Sequence, residues 1–283
     1  MKLFVMMLCI SLSMVSNGWC LETITFLSEP GPHSPFRLKR AKADGIELEP
    51  KEKIELTGYL GKSDTDTPAA AIILLHSGLG LQDFHKAWAQ RLAEWGYVTL
   101  LIYSDAPAGV EVPSSINLSG DVISNTYGAY EYLIKQPYVD TNRIGVMGWS
   151  AGGNRTFSLI GTEPPPGRKT RKAISAAAII YPVCNPDGGL FTAPMLILLG
   201  DNDGLIQKGH CRLFKQASEV KNPSQVIELK VYPGATHFYD DLRYPTYTGN
   251  DATTGDSAYY YDPKAHQDSL DRVQQFFKNY LGQ

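Results

Sequence analysis

The sequence predicts an α/β fold, with a mostly parallel central sheet and helices on both of its faces. The first observation is a series of short, continuous apolar runs. A strand without alternation of apolar and polar residues is buried on both faces, as in parallel sheets covered by helices. The second observation is that helical periodicity fills the intervals between these runs, in a repeated strand-helix order. The predicted buried strands are Ala69–His76, Tyr97–Ile102, Ile144–Met147, Ala173–Ile180 and Met195–Leu199, and Val226–Val231 is the last predicted strand.

The segment before the first buried strand has a different pattern. From Leu21 to about Thr67, apolar and polar residues alternate over two short stretches. Turns that are rich in Pro and Gly lie between these stretches. This alternation predicts edge strands of a meander. The two stretches are Glu22–Leu27 and Lys53–Leu60.

The predicted helices follow the strands to the end of the chain. They are Asp83–Trp95, about Asp121–Gln136, Ala151–Ile160, Ile206–Glu219 and Pro263–Leu281. No linker or repeat interrupts this order, so we expect a single α/β domain over residues 21–283. Only Tyr239–Asp262, rich in Tyr, Gly and Thr, lacks periodicity, and it either rims a pocket or forms a solvated loop.

Residues 1–20 have the pattern of a cleaved secretory signal. Lys2 precedes an apolar run from Leu3 to Val15, and no acidic residue is present. These 13 residues are too few to span a bilayer, which takes about 20. Cleavage fits after Gly18 or after Cys20, and lipidation of Cys20 is the rival interpretation. We therefore expect an exported protein, periplasmic or extracellular, without stable membrane insertion.

Composition excludes several classes of protein. The formal net charge is −3 and the isoelectric point is about 6.1, so there is no basic surface for nucleic acid. Four cysteines are too few for a disulfide scaffold, and no Cys-x-x-Cys pair suggests a zinc or redox site. We expect no metal and no organic cofactor, and a monomer or weak homo-oligomer.

The motif that carries chemistry is Gly148-Trp149-Ser150-Ala151-Gly152, between a predicted strand and a predicted helix. In this Gly-x-Ser-x-Gly turn the serine sits at a sharp bend, and glycines two residues away allow close backbone approach. The bend exposes the Ser150 hydroxyl as a nucleophile. It also leaves the N–H of Ala151 free at the helix start to stabilise an oxyanion.

A serine nucleophile needs a base, and the base needs an acid, in the chain order Ser, acid, His. Among the histidines after Ser150, His237 follows the last predicted strand, whereas His210 and His266 lie in predicted helices. His237 is therefore the predicted base. The acid is either Asp203 or Asp201, after the strand that ends at Leu199; Asp203 fits better because it has cleared the strand.

The second oxyanion donor is expected after the first buried strand, in His76-Ser77-Gly78-Leu79-Gly80. Small residues there favour the backbone N–H of Gly78, with that of Leu79 as the alternative. We do not interpret His76 as a metal ligand, because no partner has metal-ligand spacing.

Together these pieces resemble the dienelactone hydrolase family of α/β-hydrolases over nearly the whole mature chain. Five ordered blocks carry the resemblance: IILLHSGLGL, AWAQRLAEWGYVTLLI, DTNRIGVMGWSAGG, APMLILLGDNDGLI and VYPGATHFY. It implies an α/β-hydrolase fold, a triad of Ser150, Asp203 and His237, and oxyanion donors at Gly78 and Ala151.

The resemblance also implies a disulfide between Cys184 and Cys211, where exported relatives carry paired cysteines. The alternative is two buried free thiols.

Three positions differ from the enzyme that names the family, which has a cysteine nucleophile, an acidic residue in the oxyanion loop and a substrate-binding arginine. Here these positions are Ser150, Ser77 and Asp241. The differences argue against a dienelactone substrate and for hydrolysis of a small carboxylic ester, lactone or thioester through an acyl-enzyme. The alternatives are a secreted polyesterase or peptidase with the same triad, and a catalytically silent binding protein.

Overall fold

Eight strands and six helices follow one another along the residues that the computed structural model describes, which are 21–63, 65–103, 122–165, 168–246 and 259–282. The strands are β1 (Glu22–Leu27), β2 (Glu55–Gly61), β3 (Ala69–Leu75), β4 (Val98–Tyr103), β5 (Val139–Trp149), β6 (Ala176–Ile180), β7 (Met195–Gly200) and β8 (Ile227–Tyr232). The helices are α1 (Pro35–Ala43), α2 (Asp83–Glu94), α3 (Val122–Leu133), α4 (Ala151–Ile160), α5 (His210–Lys221) and α6 (Pro263–Leu281). The predicted export signal, residues 1–20, lies outside the described residues.

All eight strands form one sheet in the order β1-β2-β4-β3-β5-β6-β7-β8. β2 pairs antiparallel with both β1 and β4, and every other pair is parallel. The predicted mostly parallel sheet is therefore confirmed, and the two predicted edge strands form its antiparallel part. In the central β3, Ala69–Leu75, every residue is buried, as its continuous apolar run predicts.

Helices cover both faces of the sheet, and the alternation of side chains along β5 separates the two faces. A Cβ placed at Gly145 would meet Phe277 of α6, and Trp149, four residues later, contacts Trp88 of α2. The intervening Gly148 instead faces the first turn of α4. One face therefore carries α2 and α6, and the other carries α4.

The N-terminal helix α1 is absent from the sequence prediction, which has only edge strands and turns in this segment. The Ser34 hydroxyl caps α1 by accepting a hydrogen bond from the Arg37 N–H at 3.3 Å, and Pro35 occupies its first turn. Phe36 and Leu38 are 76% and 47% exposed, so α1 presents no apolar stripe that periodicity would detect.

Among the other boundaries that differ from the prediction, two shift by four residues or more. β5 begins at Val139 rather than Ile144, because its first part is mostly polar and gives no apolar signal. In this part Arg143 Nε lies 2.7 Å from Asp140 Oδ2, outside the core. α5 begins at His210 rather than Ile206, because Gly209 takes a left-handed conformation with φ of 85°. His210 is thus the first residue of its helix and not a mid-helix residue.

Candidate active site

The turn from β5 into α4 places Ser150 in a strained conformation, with φ of 51° and ψ of −113°. A Cβ on Gly148 would come within 2.6 Å of the Gly152 backbone, and one on Gly152 within 2.3 Å of the Leu75 carbonyl oxygen. Neither contact is possible for a real side chain, so both positions require glycine. The Ser150 N–H donates to the Ile180 carbonyl at 2.9 Å, which ties the turn to β6.

The structure brings Ser150, His237 and Asp203 together at the carboxyl ends of three parallel strands. His237 Nε2 lies 2.9 Å from Ser150 Oγ, and His237 Nδ1 lies 2.6 Å from Asp203 Oδ2. The side chains of His237 and Asp203 are 2% and 0% exposed. The other Asp203 oxygen accepts the Leu205 N–H at 2.9 Å, so the carboxylate is held at both oxygens. This chain of contacts can move a proton from Ser150 to His237.

The alternative residues lie elsewhere. Asp201 Oδ1 accepts the Gly234 N–H at 2.7 Å and so fastens a turn after β8 rather than contacting His237. His266 Nδ1 lies 3.2 Å from the Tyr261 hydroxyl, and its ring lies 6.0 Å from that of Trp88. Of the residues considered from the sequence, Asp203 and His237 are thus the ones placed beside Ser150.

The loop after β3 packs directly on the start of α4. The Leu75 and His76 carbonyl oxygens approach Gly152 so closely that a Cβ there would be 2.3 and 2.5 Å from them. Beyond His76, Gly80 donates to the Ser77 carbonyl at 3.1 Å, which closes a tight turn around exposed Gly78 and Leu79. At the other side of Ser150, the N–H of Ala151 opens α4 and has no acceptor within the helix.

His85 of α2 lies against the loop from Ser77 to Gln82, a role that its sequence position did not indicate. The Ser77 N–H points at His85 Nε2 at 3.2 Å, and the Gln82 N–H points at His85 Nδ1 at 3.0 Å. Burial lowers the pKa of His85 well below its usual value, with the neighbouring His76 adding to the effect. The neutral ring has one bare nitrogen, so it accepts a hydrogen bond from one of these two N–H groups at a time.

Tyr181 is a further residue of the site that the sequence prediction did not name. It follows the last residue of β6, and its ring lies 4.4 Å from the His237 ring, centre to centre. Burial raises the pKa of Tyr181 well above its usual value, and the charge of the nearby Asp240 acts in the same direction. Its hydroxyl therefore stays protonated. The signal that could have identified it is its place at the carboxyl end of a buried parallel strand.

Backbone strain is concentrated at this site. Among the described residues, three that are not glycine have a positive φ: Ser150 at 51°, Tyr181 at 37° and Phe238 at 57°. Ser150 and Tyr181 directly follow β5 and β6, and Phe238 directly follows His237, at the same edge of the sheet. Conformations of this kind cost about 1–3 kcal/mol each and persist where the surrounding structure holds them, commonly at active sites.

The two described ends of the Tyr-rich excursion pack against the His237 loop. The Tyr259 ring lies 6.3 Å from the His237 ring and 5.3 Å from that of Phe238, and Tyr244 stacks on Phe238 at 5.8 Å. The middle of the excursion, residues 247–258, lies outside the described residues. Its described ends are therefore aromatic neighbours of the site rather than a detached loop.

Asp241, at the position of the substrate-binding arginine, is buried. Its carboxylate accepts from the Arg243 guanidinium, with Arg243 Nε 3.0 Å from both oxygens. This pairing raises the pKa of Arg243.

Cys184 and Cys211 form a disulfide, as the family resemblance implied. Cys184 lies after β6, and Cys211 is in the first turn of α5. The bridge therefore joins the segments on either side of β7 and Asp203.

The described residues contain neither a cluster that could hold a metal ion nor a helix suited to crossing a membrane. In those segments no group of three or more His, Cys, Asp or Glu side chains converges on a common point. None of the helices there is both long enough and apolar enough to span a bilayer.

Comparison with known proteins places this arrangement in a family. Residues 56–281 match the Dienelactone hydrolase family. The probable 2-oxo-3-(5-oxofuran-2-ylidene)propanoate lactonase of Bradyrhizobium sp. is 26% identical over 65% of this chain and 79% of its own length. Lipase 1 of a Moraxella species is 25% identical over 62% of this chain, which spans only 50% of that lipase.

Solved structures have the same fold. A dienelactone hydrolase-like promiscuous phosphotriesterase from metagenomic libraries superposes with a TM-score of 0.67 at 18% identity, over 93% of this chain and all of that one. Esterase 2 of Thermogutta terrifontis gives a TM-score of 0.57 at 18% identity, over 80% of this chain and 90% of its own. The predicted α/β-hydrolase fold is confirmed, and the chain belongs to the dienelactone hydrolase family.

Proposed function

We propose that this protein is a serine hydrolase that cleaves a small carboxylic ester or lactone through an acyl-enzyme on Ser150. The observation that carries the proposal is the continuous contact from Ser150 Oγ to His237 Nε2 at 2.9 Å and from His237 Nδ1 to Asp203 Oδ2 at 2.6 Å. The curated relatives, named as a lactonase and a lipase, support ester and lactone bonds as the substrate class.

In the first half of the reaction, Asp203 accepts the Nδ1–H of His237 and so leaves Nε2 bare to take the proton of Ser150. Ser150 Oγ attacks the carbonyl carbon, and the carbonyl oxygen becomes an oxyanion. The N–H groups of Gly78 and Ala151 stabilise that charge, aided by the positive end of α4. The intermediate collapses when His237 gives this proton to the leaving alkoxide, which departs as an alcohol from an ester or stays on the acyl group as a hydroxyl from a lactone.

In the second half, a water molecule replaces the alcohol. His237 takes a proton from the water, whose oxygen attacks the acyl-enzyme carbonyl. Collapse of the second oxyanion breaks the bond to Ser150 Oγ, which recovers its proton from His237. A carboxylic acid leaves, and the free enzyme is regenerated.

We propose further that residues 21–283 form one exported domain. The support is the signal-like composition of residues 1–20 and the disulfide between Cys184 and Cys211, since disulfides persist chiefly in oxidising compartments. Expression of the full chain in a host that secretes proteins, followed by N-terminal sequencing of the exported product, tests this. Cleavage after Gly18 or Cys20 is expected, and an uncleaved cytoplasmic product would contradict it.

The hydrolase proposal is tested with short-chain p-nitrophenyl esters and a fluorophosphonate that labels activated serines. Ser150→Ala and His237→Ala are expected to lower kcat by at least about 10³-fold, and Ser150→Ala should abolish labelling. Ser224→Ala, on an exposed turn before β8, is the matched control and should behave as the wild type. Labelling that persists in Ser150→Ala would refute the nucleophile. A wild type that neither turns over esters nor becomes labelled would point instead to a catalytically silent binding protein.

A further inference from the structure

The proposed mechanism does not use the buried carboxylate of Asp240. Asp240 lies three residues after His237, is 1% exposed, and accepts three hydrogen bonds from neutral side chains. Its Oδ2 accepts from Trp149 Nε1 at 3.0 Å and Trp88 Nε1 at 3.1 Å, and its Oδ1 contacts the Tyr181 hydroxyl at 3.0 Å. An indole nitrogen can only donate, so Oδ2 is an acceptor in every state of the network.

These three partners lie on separate elements of the fold, each next to the site. Trp149 is the residue before Ser150 and ends β5. Tyr181 follows β6 and packs on the His237 ring at 4.4 Å, while Trp88 packs on Trp149 from α2 at 6.0 Å. The Asp240 carboxylate thus binds both Trp149, the residue before the nucleophile, and Tyr181, whose ring packs on His237.

Stability alone is a poor explanation for this arrangement. Burial raises the pKa of Asp240, which reflects the cost of keeping a charge away from water. The nearby His266 and the three donors only oppose that shift. Apolar residues of similar shape commonly replace buried charged networks without loss of stability, whereas such networks can fix one geometry. Ser150 and Tyr181 both have positive φ, so this geometry is one that the backbone does not adopt unaided.

We propose that Asp240 is a positioning residue. It holds Trp149 and Tyr181 in place, and this keeps Ser150 Oγ within hydrogen-bonding distance of His237 Nε2. The inference rests on the proposed serine hydrolase mechanism. A displacement of about 1 Å between reacting groups can lower a rate about 100-fold, so small movements of either partner have measurable effects.

Three substitutions remove different parts of the hydrogen-bond network around Asp240. In Asp240→Asn the amide oxygen can still accept from both indoles, and the amide nitrogen can donate to the Tyr181 oxygen. Tyr181→Phe removes one hydroxyl and leaves the ring on His237. Asp240→Leu removes every acceptor. Asp140→Asn is the control, because Asp140 also accepts hydrogen bonds, from Arg143 Nε at 2.7 Å and the Asn142 N–H at 3.0 Å, but lies at the end of β5 away from Ser150.

The expected kinetic result is a fall in kcat for p-nitrophenyl acetate with KM within about twofold of the wild type. Asp240→Leu should lose at least about tenfold, Tyr181→Phe about threefold to tenfold, and Asp240→Asn should recover most of the loss in Asp240→Leu. Asp140→Asn should keep the wild-type kcat within about twofold. A folded Asp240→Leu with the kcat of the wild type would overturn the proposal. If that variant does not fold, an unchanged kcat in Tyr181→Phe overturns it.

Indole NMR signals supply a readout that does not depend on turnover. The N–H signals of Trp88 and Trp149, assigned with single Trp→Phe variants, should both move in Asp240→Asn, while that of Trp95 stays in place. Indole signals that do not respond would overturn the network itself. An inactive wild type would refute the proposed function, whereas an active wild type whose kcat ignores Asp240 would refute only this inference.

Discussion

Reduction of the disulfide between Cys184 and Cys211 is expected to lower the free energy of unfolding by about 3.5 kcal/mol. The two cysteines are 27 residues apart in the chain. A cross-link over a loop of that length restricts the unfolded chain and raises its free energy by about this amount in the chain-entropy description. Cys184 and Cys211 are both buried, and reduction changes no atoms other than the two sulfurs, each of which gains a hydrogen. The difference between oxidised and reduced wild type therefore isolates the cross-link.

Urea unfolding of the mature protein, followed by tryptophan fluorescence with and without reductant, measures this difference. For a domain of this size the slope of stability against urea is roughly 3 kcal/mol per M, so the midpoint should fall by about 1 M. The melting temperature should fall by about 7–14 °C. Intact mass after alkylation checks the state of the thiols, since two extra alkyl groups should appear only after reduction.

The Cys184→Ser/Cys211→Ser double variant is the control, because its midpoint should not respond to reductant. Equal midpoints for oxidised and reduced wild type, with alkylation showing that reduction was complete, would refute the reasoning. That result would mean either that the loop is already restricted in the unfolded chain or that the bridge strains the folded one.

Three further predictions concern single side chains. Asp203→Asn should lower kcat by about 10³–10⁴-fold, whereas Asp201→Asn should stay within about tenfold, as steady-state ester hydrolysis will measure; equal losses would contradict the assignment of the acid. Gly152→Ala should lose about 3 kcal/mol of stability in urea titrations, because its Cβ would meet a backbone oxygen at 2.3 Å, whereas at Gly161 the nearest atom is 3.4 Å away and Ala should be tolerated. Burial lowers the pKa of His85, so below pH 6.5 the unfolded chain binds a proton that the folded chain does not. Stability should therefore fall by up to about 1.4 kcal/mol per pH unit as pH drops below 6.5, and less steeply in His85→Asn, as urea titrations from pH 7 to 5 will show.

The sheet is predictable from the sequence because its signal is local. A run such as Ala69–Leu75 is apolar at every position, and only burial on both faces accounts for that. Helix α6 begins and ends where predicted, because Asp262 caps it by accepting from the Lys264 and Ala265 N–H groups and an apolar stripe runs along its length. Helix α1 lacks such a stripe, so only its Ser34 cap and Pro35 mark it.

The nucleophile turn is also predictable from a local signal. In the short Gly-x-Ser-x-Gly pattern, the two glycines stand where the backbone leaves no room for a Cβ. The choice between Asp203 and Asp201 was open at the level of sequence because both follow β7 within three residues of its end. What separates them is the direction of each side chain. That direction depends on Gly234 and His237, which lie more than 30 residues away.

The geometry of the site is less predictable because it depends on contacts between distant segments. Three strained residues shape it, and each is held by a different part of the chain. The Ser150 N–H donates to β6, and the Tyr181 N–H donates to the Leu198 carbonyl of β7 at 2.6 Å. The Phe238 ring packs against Tyr244 and Tyr259 on either side of the Tyr-rich excursion.

These long-range contacts also explain why Asp240 could not be identified from the sequence. Its partners Tyr181, Trp149 and Trp88 precede it by 59, 91 and 152 residues, and nothing within its own segment distinguishes it from Asp241. Local patterns fix where the strands end and therefore where a site can form. The placement of Ser150 against His237 is a property of the assembled sheet, since a strained turn persists only where several elements hold it at once.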